Sequence, residues 1–108
     1  TVSFKLNNFK WTLKFRPLEC YGITRYATFE VILNQELLEN VSNQNIHCSL
    51  IHELVHAFKY SYGMFHDADS EVAAMSEEQV CEFIAMNAEN IIELAYKLEK
   101  QFFAKYKK

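Results

Sequence analysis

His52-Glu53-Leu54-Val55-His56 sets two imidazoles and a carboxylate at a spacing that a helix would bring to one ion. Residues four apart in an α-helix differ by about 40° around its axis, so both imidazoles can reach a single metal from adjacent turns. Glu53 follows the first histidine and flanks the position on that metal where a water would sit. Zinc acidifies such a water and a carboxylate takes its proton, which yields a nucleophile for peptide bonds. The pattern points to metal-assisted hydrolysis, with His52 and His56 as ligands and Glu53 as the catalytic base.

A His2Glu zinc site needs a third protein ligand. Downstream, Glu78, Cys81, Glu82 and Ala85 stand at i, i+3, i+4 and i+7, a narrow stripe of carboxylates and small residues. Val80, Phe83 and Ile84 point the other way. Small residues permit close approach of helices, so the stripe is expected to pack on the histidine face and bring Glu78 to the metal. Glu82, one turn on, would then accept the free N–H of a ligating imidazole and fix its tautomer. Glu77 is the competing ligand. It lies about 100° away, toward Val80 and Ile84, where an acid at a helix start complements the dipole. Neither His47 nor any cysteine is spaced to close a fourth position, so the expected zinc, one per chain, keeps an open site for catalysis. Donors to a developing oxyanion are sought among Tyr26, Tyr60, Tyr62 and His66, with Tyr60 and His66 foremost.

These groups need a frame. Val2, Phe4 and Leu6 alternate with polar residues, as do Phe9, Trp11, Leu13 and Phe15, and Asn7-Asn8 between them reads as a tight hairpin turn. Pro17 ends that hairpin. A third strand is predicted over Thr28 to Leu33, with a short strand at Ile23 to Tyr26 leading into it. The former is the candidate edge for holding an extended substrate peptide. Helical periodicity starts near Asn45, where Leu50, Leu54, Ala57 and Ser61 form one stripe and His52 and His56 fall opposite. Gly63 is a stop signal. Ser76 with Gln79 forms a capping box for a second helix, which runs to about Tyr106 with a break near Asn87. The fold class is α+β, a small N-terminal sheet followed by helices.

The chain has 108 residues, half of them hydrophobic and 15% aromatic, which excludes a disordered chain and suits one domain. Eight acids and no Lys or Arg occur from Asp67 to Glu93, a composition suited to binding a cation. Five lysines follow from Lys97, where they complement a helix C-terminus. The net charge of −3 argues against a nucleic-acid partner. Cys20, Cys48 and Cys81 include no C-x-x-C pair, and an odd number argues for a reducing compartment; they are expected as packing residues. No apolar run has membrane-spanning length. A soluble cytoplasmic protein is expected.

With those residues in place, the chain resembles the ImmA/IrrE family of zinc metallopeptidases, within the gluzincins, in the compact form carried by phages and mobile elements. That family couples H-E-x-x-H to a downstream E-x-x-A-[DN]-x-F-A helix. Here the second element reads Glu78-Gln79-Val80-Cys81-Glu82-Phe83-Ile84-Ala85, with Cys81, Glu82 and Ile84 departing from the pattern. The resemblance implies a minimal zincin-like domain over residues 1–108, zinc on His52, His56 and Glu78, and Glu53 as base. It also implies a protein or peptide substrate, by analogy a helix-turn-helix repressor cut at a specific site. The alternative is a non-catalytic, zinc-stabilised interaction module. The retention of Glu53, which a structural site does not need, favours the enzyme.

Overall fold

The alternating N-terminal pattern folds as expected into a hairpin, β1 (Val2–Leu6) and β2 (Phe9–Arg16), in this computed structural model, which describes residues 1–39, 43–62 and 77–106. Asn7 and Asn8 take φ of 48° and 70°, the two left-handed positions of a type I′ turn, which asparagine tolerates better than most residues. Apart from the exposed Phe9, the apolar residues of both strands face one side and bury there, with Phe4 opposite Trp11.

β3 (Gly22–Arg25) and β4 (Glu30–Asn34) complete a four-stranded sheet of order β1-β2-β4-β3, in which β4 runs parallel to β2 and antiparallel to β3. This corrects one expectation. The strand predicted over Thr28 to Leu33 is central, with Val31 and Leu33 wholly buried, and the edges of the sheet are β1 and, on the α2 side of the site, β3. Thr28 and Phe29 lie in the β3–β4 turn instead, where the Phe29 N–H reaches the Tyr26 carbonyl at 3.4 Å and Phe29 has a φ of 54°. After Pro17 the connection folds back onto the sheet. Asn34 donates to the carbonyls of Leu18 and Cys20 at 2.9 and 3.1 Å.

A short helix α1 (Glu36–Glu39) precedes α2 (Asn43–Ser61), which lays the predicted stripe of Leu50, Leu54, Ala57 and Ser61 against the sheet. The hairpin grips the end of α2. The Trp11 indole N–H donates to Ser61 Oγ at 2.8 Å, the Asn7 side chain to the Ser61 carbonyl at 2.9 Å, and the Asn7 N–H to the Tyr62 hydroxyl at 3.2 Å. The signals at Gly63 and Ser76 lie outside the described residues. α3 (Glu77–Tyr106) runs unbroken through Asn87, whose amide donates to the Phe83 carbonyl at 3.1 Å without interrupting the helix. Ile91, Ala95, Leu98 and Phe102 bury as the spacing predicts, Phe102 meeting Phe15 edge-on, whereas Ile92 stays exposed. His47 and Glu99, 2.5 Å apart, tie the start of α2 to the second half of α3. None of the described helices is long and apolar enough to cross a membrane.

Trp11 is fully buried, so its N–H has no recourse to water. Ser61→Ala should lower stability by about 1–3 kcal/mol, the cost of a buried donor left unmade. Urea unfolding read by Trp11 fluorescence measures it; an unchanged midpoint would mean that the indole finds another acceptor.

Candidate active site

α2 turns its polar face, with His52 and His56, away from the sheet core, and Glu53 toward the edge strand β3. The imidazoles stand side by side, ring centroids 5.2 Å apart and planes at 70°. Glu53 is only 7% exposed. Thr24 on β3 donates its hydroxyl to Glu53 Oε1 at 2.7 Å, and Thr24 Oγ1 also lies 3.2 Å from the Glu53 carbonyl oxygen. The second carboxylate oxygen is 3.9 Å from His52 Nε2, beyond hydrogen-bond reach.

Gly22 makes that arrangement possible. A Cβ there would lie 2.9 Å from Leu33 Cδ2, 3.1 Å from the Ile32 carbonyl oxygen and 3.1 Å from Glu53 Cγ. A side chain there would require Leu33, and with it Glu53, to give way. Between the start of β3 and α2 opens a cleft of about 360 Å³ whose lining includes Tyr21, Ser49, His52 and Glu53.

His56 is more enclosed than His52. Burial holds its pKa below the ordinary 6.5, opposed by the Glu53 carboxylate and reinforced by His52 and Lys59, so the neutral ring with a free lone pair is favoured. The Tyr26 hydroxyl lies 3.3 Å from its Nδ1. Two imidazoles so placed match the nitrogen ligands that zinc takes. Among the described residues, however, no group of three or more His, Cys, Asp or Glu side chains is gathered to hold a metal.

The α3 stripe corrects the packing read from the sequence. Glu78, Cys81, Glu82 and Ala85 are exposed, as is Glu77, while Phe83 is 4% exposed and packs toward α2. Val80, Phe83, Ile84 and Ile91 line an apolar cleft of about 220 Å³ with Ile51 and Val55 of α2. Large apolar side chains gain about 25 cal/mol for each Å² they bury, which outweighs the closer approach that small residues permit. The three cysteines are exposed, not packing residues. Tyr60 packs its ring 4.7 Å from that of Tyr26, and Tyr62 is engaged with Asn7. His66 lies outside the described residues. Thr24 and Gly22 were missed by sequence reasoning; the one available signal was an isolated glycine opening a strand, which marks close backbone approach.

Thr24→Val keeps the shape of the side chain and removes the donor to a nearly buried carboxylate. It should cost about 1–3 kcal/mol of stability, with Thr24→Ser restoring it in the same denaturation experiment. Equal stability of Thr24→Val and the parent would show that Glu53 does not depend on this bond.

The geometry agrees with one comparison to known proteins. No curated protein matches the chain, and no solved structure matches it. What matches is a family model, and it carries the coarser expectation of a zincin-like, metallopeptidase-related domain, not the ImmA/IrrE assignment suggested by the second-helix motif. Its match covers residues 2–79, from β1 through the histidine helix to the first turn of α3, and the chain belongs to the SprT-like family.

Proposed function

We propose that this chain is a zinc-dependent endopeptidase, with one zinc held by His52, His56 and Glu78 and with Glu53 as the catalytic base. The observation that carries the reading is the anchoring of Glu53: a carboxylate adjoining two paired imidazoles, with one oxygen held by Thr24. A carboxylate held in this way is oriented for proton transfer. Zinc, when bound, supplies Lewis acidity to a water and to the scissile carbonyl. The oxygen of Glu53 not bound to Thr24 takes the proton of the attacking water and returns it to the leaving amine. β3, an edge strand among the described residues, would offer backbone N–H and C=O groups to an extended peptide beside that carboxylate.

Glu78 is proposed as the third ligand because it is an exposed carboxylate in the first turn of α3, within the family match. Among the described residues Glu78 is not yet gathered with the two histidines into one ligand group. Glu82 would then serve the ring of His52, since Tyr26 already stands at His56. The substrate proposed is a protein, by analogy with the ImmA/IrrE resemblance a helix-turn-helix repressor. The exposed apolar residues of α3, among them Ile84 at 54%, favour one second reading, a non-catalytic zinc-stabilised interaction module.

Glu53→Gln separates the two. It should keep the fold and zinc yet lower peptidase activity at least about a hundredfold; full biological effect in this variant would establish the interaction module. Zinc content should collapse in His52→Ala and His56→Ala and fall sharply in Glu78→Ala. Retention in Glu78→Ala with loss in Glu77→Ala would move the ligand by one residue. Zinc binding requires neutral imidazoles, so affinity should weaken as pH falls through about 6.5. Burial delays protonation of His56 to lower pH than that, and a competition titration across pH 5 to about 8 checks the direction.

A further inference from the structure

Tyr26 follows β3 directly and opens the turn into β4. Its direction is set from two sides. Behind it, Phe29 closes the turn in a left-handed conformation and stacks on Phe9 at 5.1 Å while meeting Trp11 edge-on at 5.3 Å. Beside it, the Tyr60 ring of α2 packs 4.7 Å from the Tyr26 ring and 6.1 Å from Phe29. The phenol is thus wedged between the turn and α2, with its hydroxyl 3.3 Å from His56 Nδ1. The His52 ring is exposed and, among the described residues, has no hydrogen bond.

An imidazole offers an ion whichever nitrogen carries no proton, and a hydrogen bond at one nitrogen selects the other. With Nδ1 occupied by the phenol, only Nε2 of His56 remains to face an ion shared with His52. We infer that Tyr26 is a positioning residue for the metal site: its oxygen accepts the Nδ1–H of His56 in the loaded protein, which makes Nε2 the ligand atom and holds the ring plane. The inference rests on the zinc reading above. It assigns to a tyrosine of the β3–β4 turn an orienting role at His56 like the one proposed for Glu82 at His52. The aromatic wall of Phe29 and Tyr60 then acts on the metal at one remove, by fixing where the phenol oxygen stands.

Tyr26→Phe tests it, because the ring stays on Tyr60 and only the hydroxyl is lost. Zinc affinity, measured by competition with a chelating dye, should fall about 10- to 100-fold, with the circular dichroism spectrum unchanged. Imidazole ¹⁵N spectra of the zinc-loaded parent should show His56 coordinated through Nε2, with an Nδ1–H that exchanges slowly; in Tyr26→Phe that proton should exchange faster. In metal-free protein the substitution should move the His56 ring nitrogens and leave those of His52 in place. Parental zinc affinity in Tyr26→Phe, coordination through His56 Nδ1, or unmoved His56 nitrogens would each overturn the inference. A parent protein that takes up no zinc would instead overturn the metal site itself, and the metal-free spectra would still report whether Tyr26 contacts His56.

Discussion

The approach of β3 to α2 is the constraint on which the rest of this molecule depends. A strand and a helix normally keep a full side-chain layer between them. Here Gly22 removes that layer at one point, and Thr24 fills the next with a hydroxyl that holds Glu53. Burial of Glu53 would be costly without a donor, because a desolvated carboxylate must be hydrogen-bonded. The same bond that makes the burial tolerable fixes the orientation of the carboxylate beside His52 and His56. Structure and chemistry share one contact.

The approach is held from both ends of α2. At its C-terminal end the hairpin grips Ser61 through Trp11 and Asn7, which sets how far the helix can slide along the sheet. At its N-terminal end His47 pairs with Glu99 and stacks on Tyr96 of α3. Between them, the turn from β3 to β4 carries a phenylalanine in a left-handed conformation, a strain of about 1–3 kcal/mol. Aromatic pairs contribute about 0.5–1.5 kcal/mol each beyond their buried area, and Phe29 has three such neighbours, Phe9, Trp11 and Tyr60. Their sum, about 1.5–4.5 kcal/mol, is of the same order as the strain. The turn is therefore kept in the one conformation that presents Tyr26 to His56.

The relation between α2 and α3 follows a different balance. Apolar burial turns Phe83 toward α2, and the carboxylate stripe is left to solvent. A carboxylate gains little by approaching two neutral imidazoles without a cation between them, since nothing then compensates its lost hydration. With a divalent ion the sign reverses, because metal binding supplies free energy that a helix start can follow.

Much of this protein was legible in single-residue patterns. The alternation of Val2 to Phe15, the Asn7-Asn8 turn and the Leu50–Ser61 stripe each depend on neighbours in sequence, so period and turn chemistry were sufficient to read them. The pairing of His52 with His56 is likewise a property of one helix, legible from its pitch. What the sequence could not determine was every relation between elements. That β4 is central and β3 an edge depends on strand order, which alternation does not encode. That Thr24 rather than another hydroxyl meets Glu53, and that Tyr26 stands at His56, depends on how closely a strand and its turn can approach a helix. Local periodicity shows which face of an element is apolar, but only the packed structure decides what that face meets. That choice is made by apolar area and steric fit summed over residues far apart in the chain.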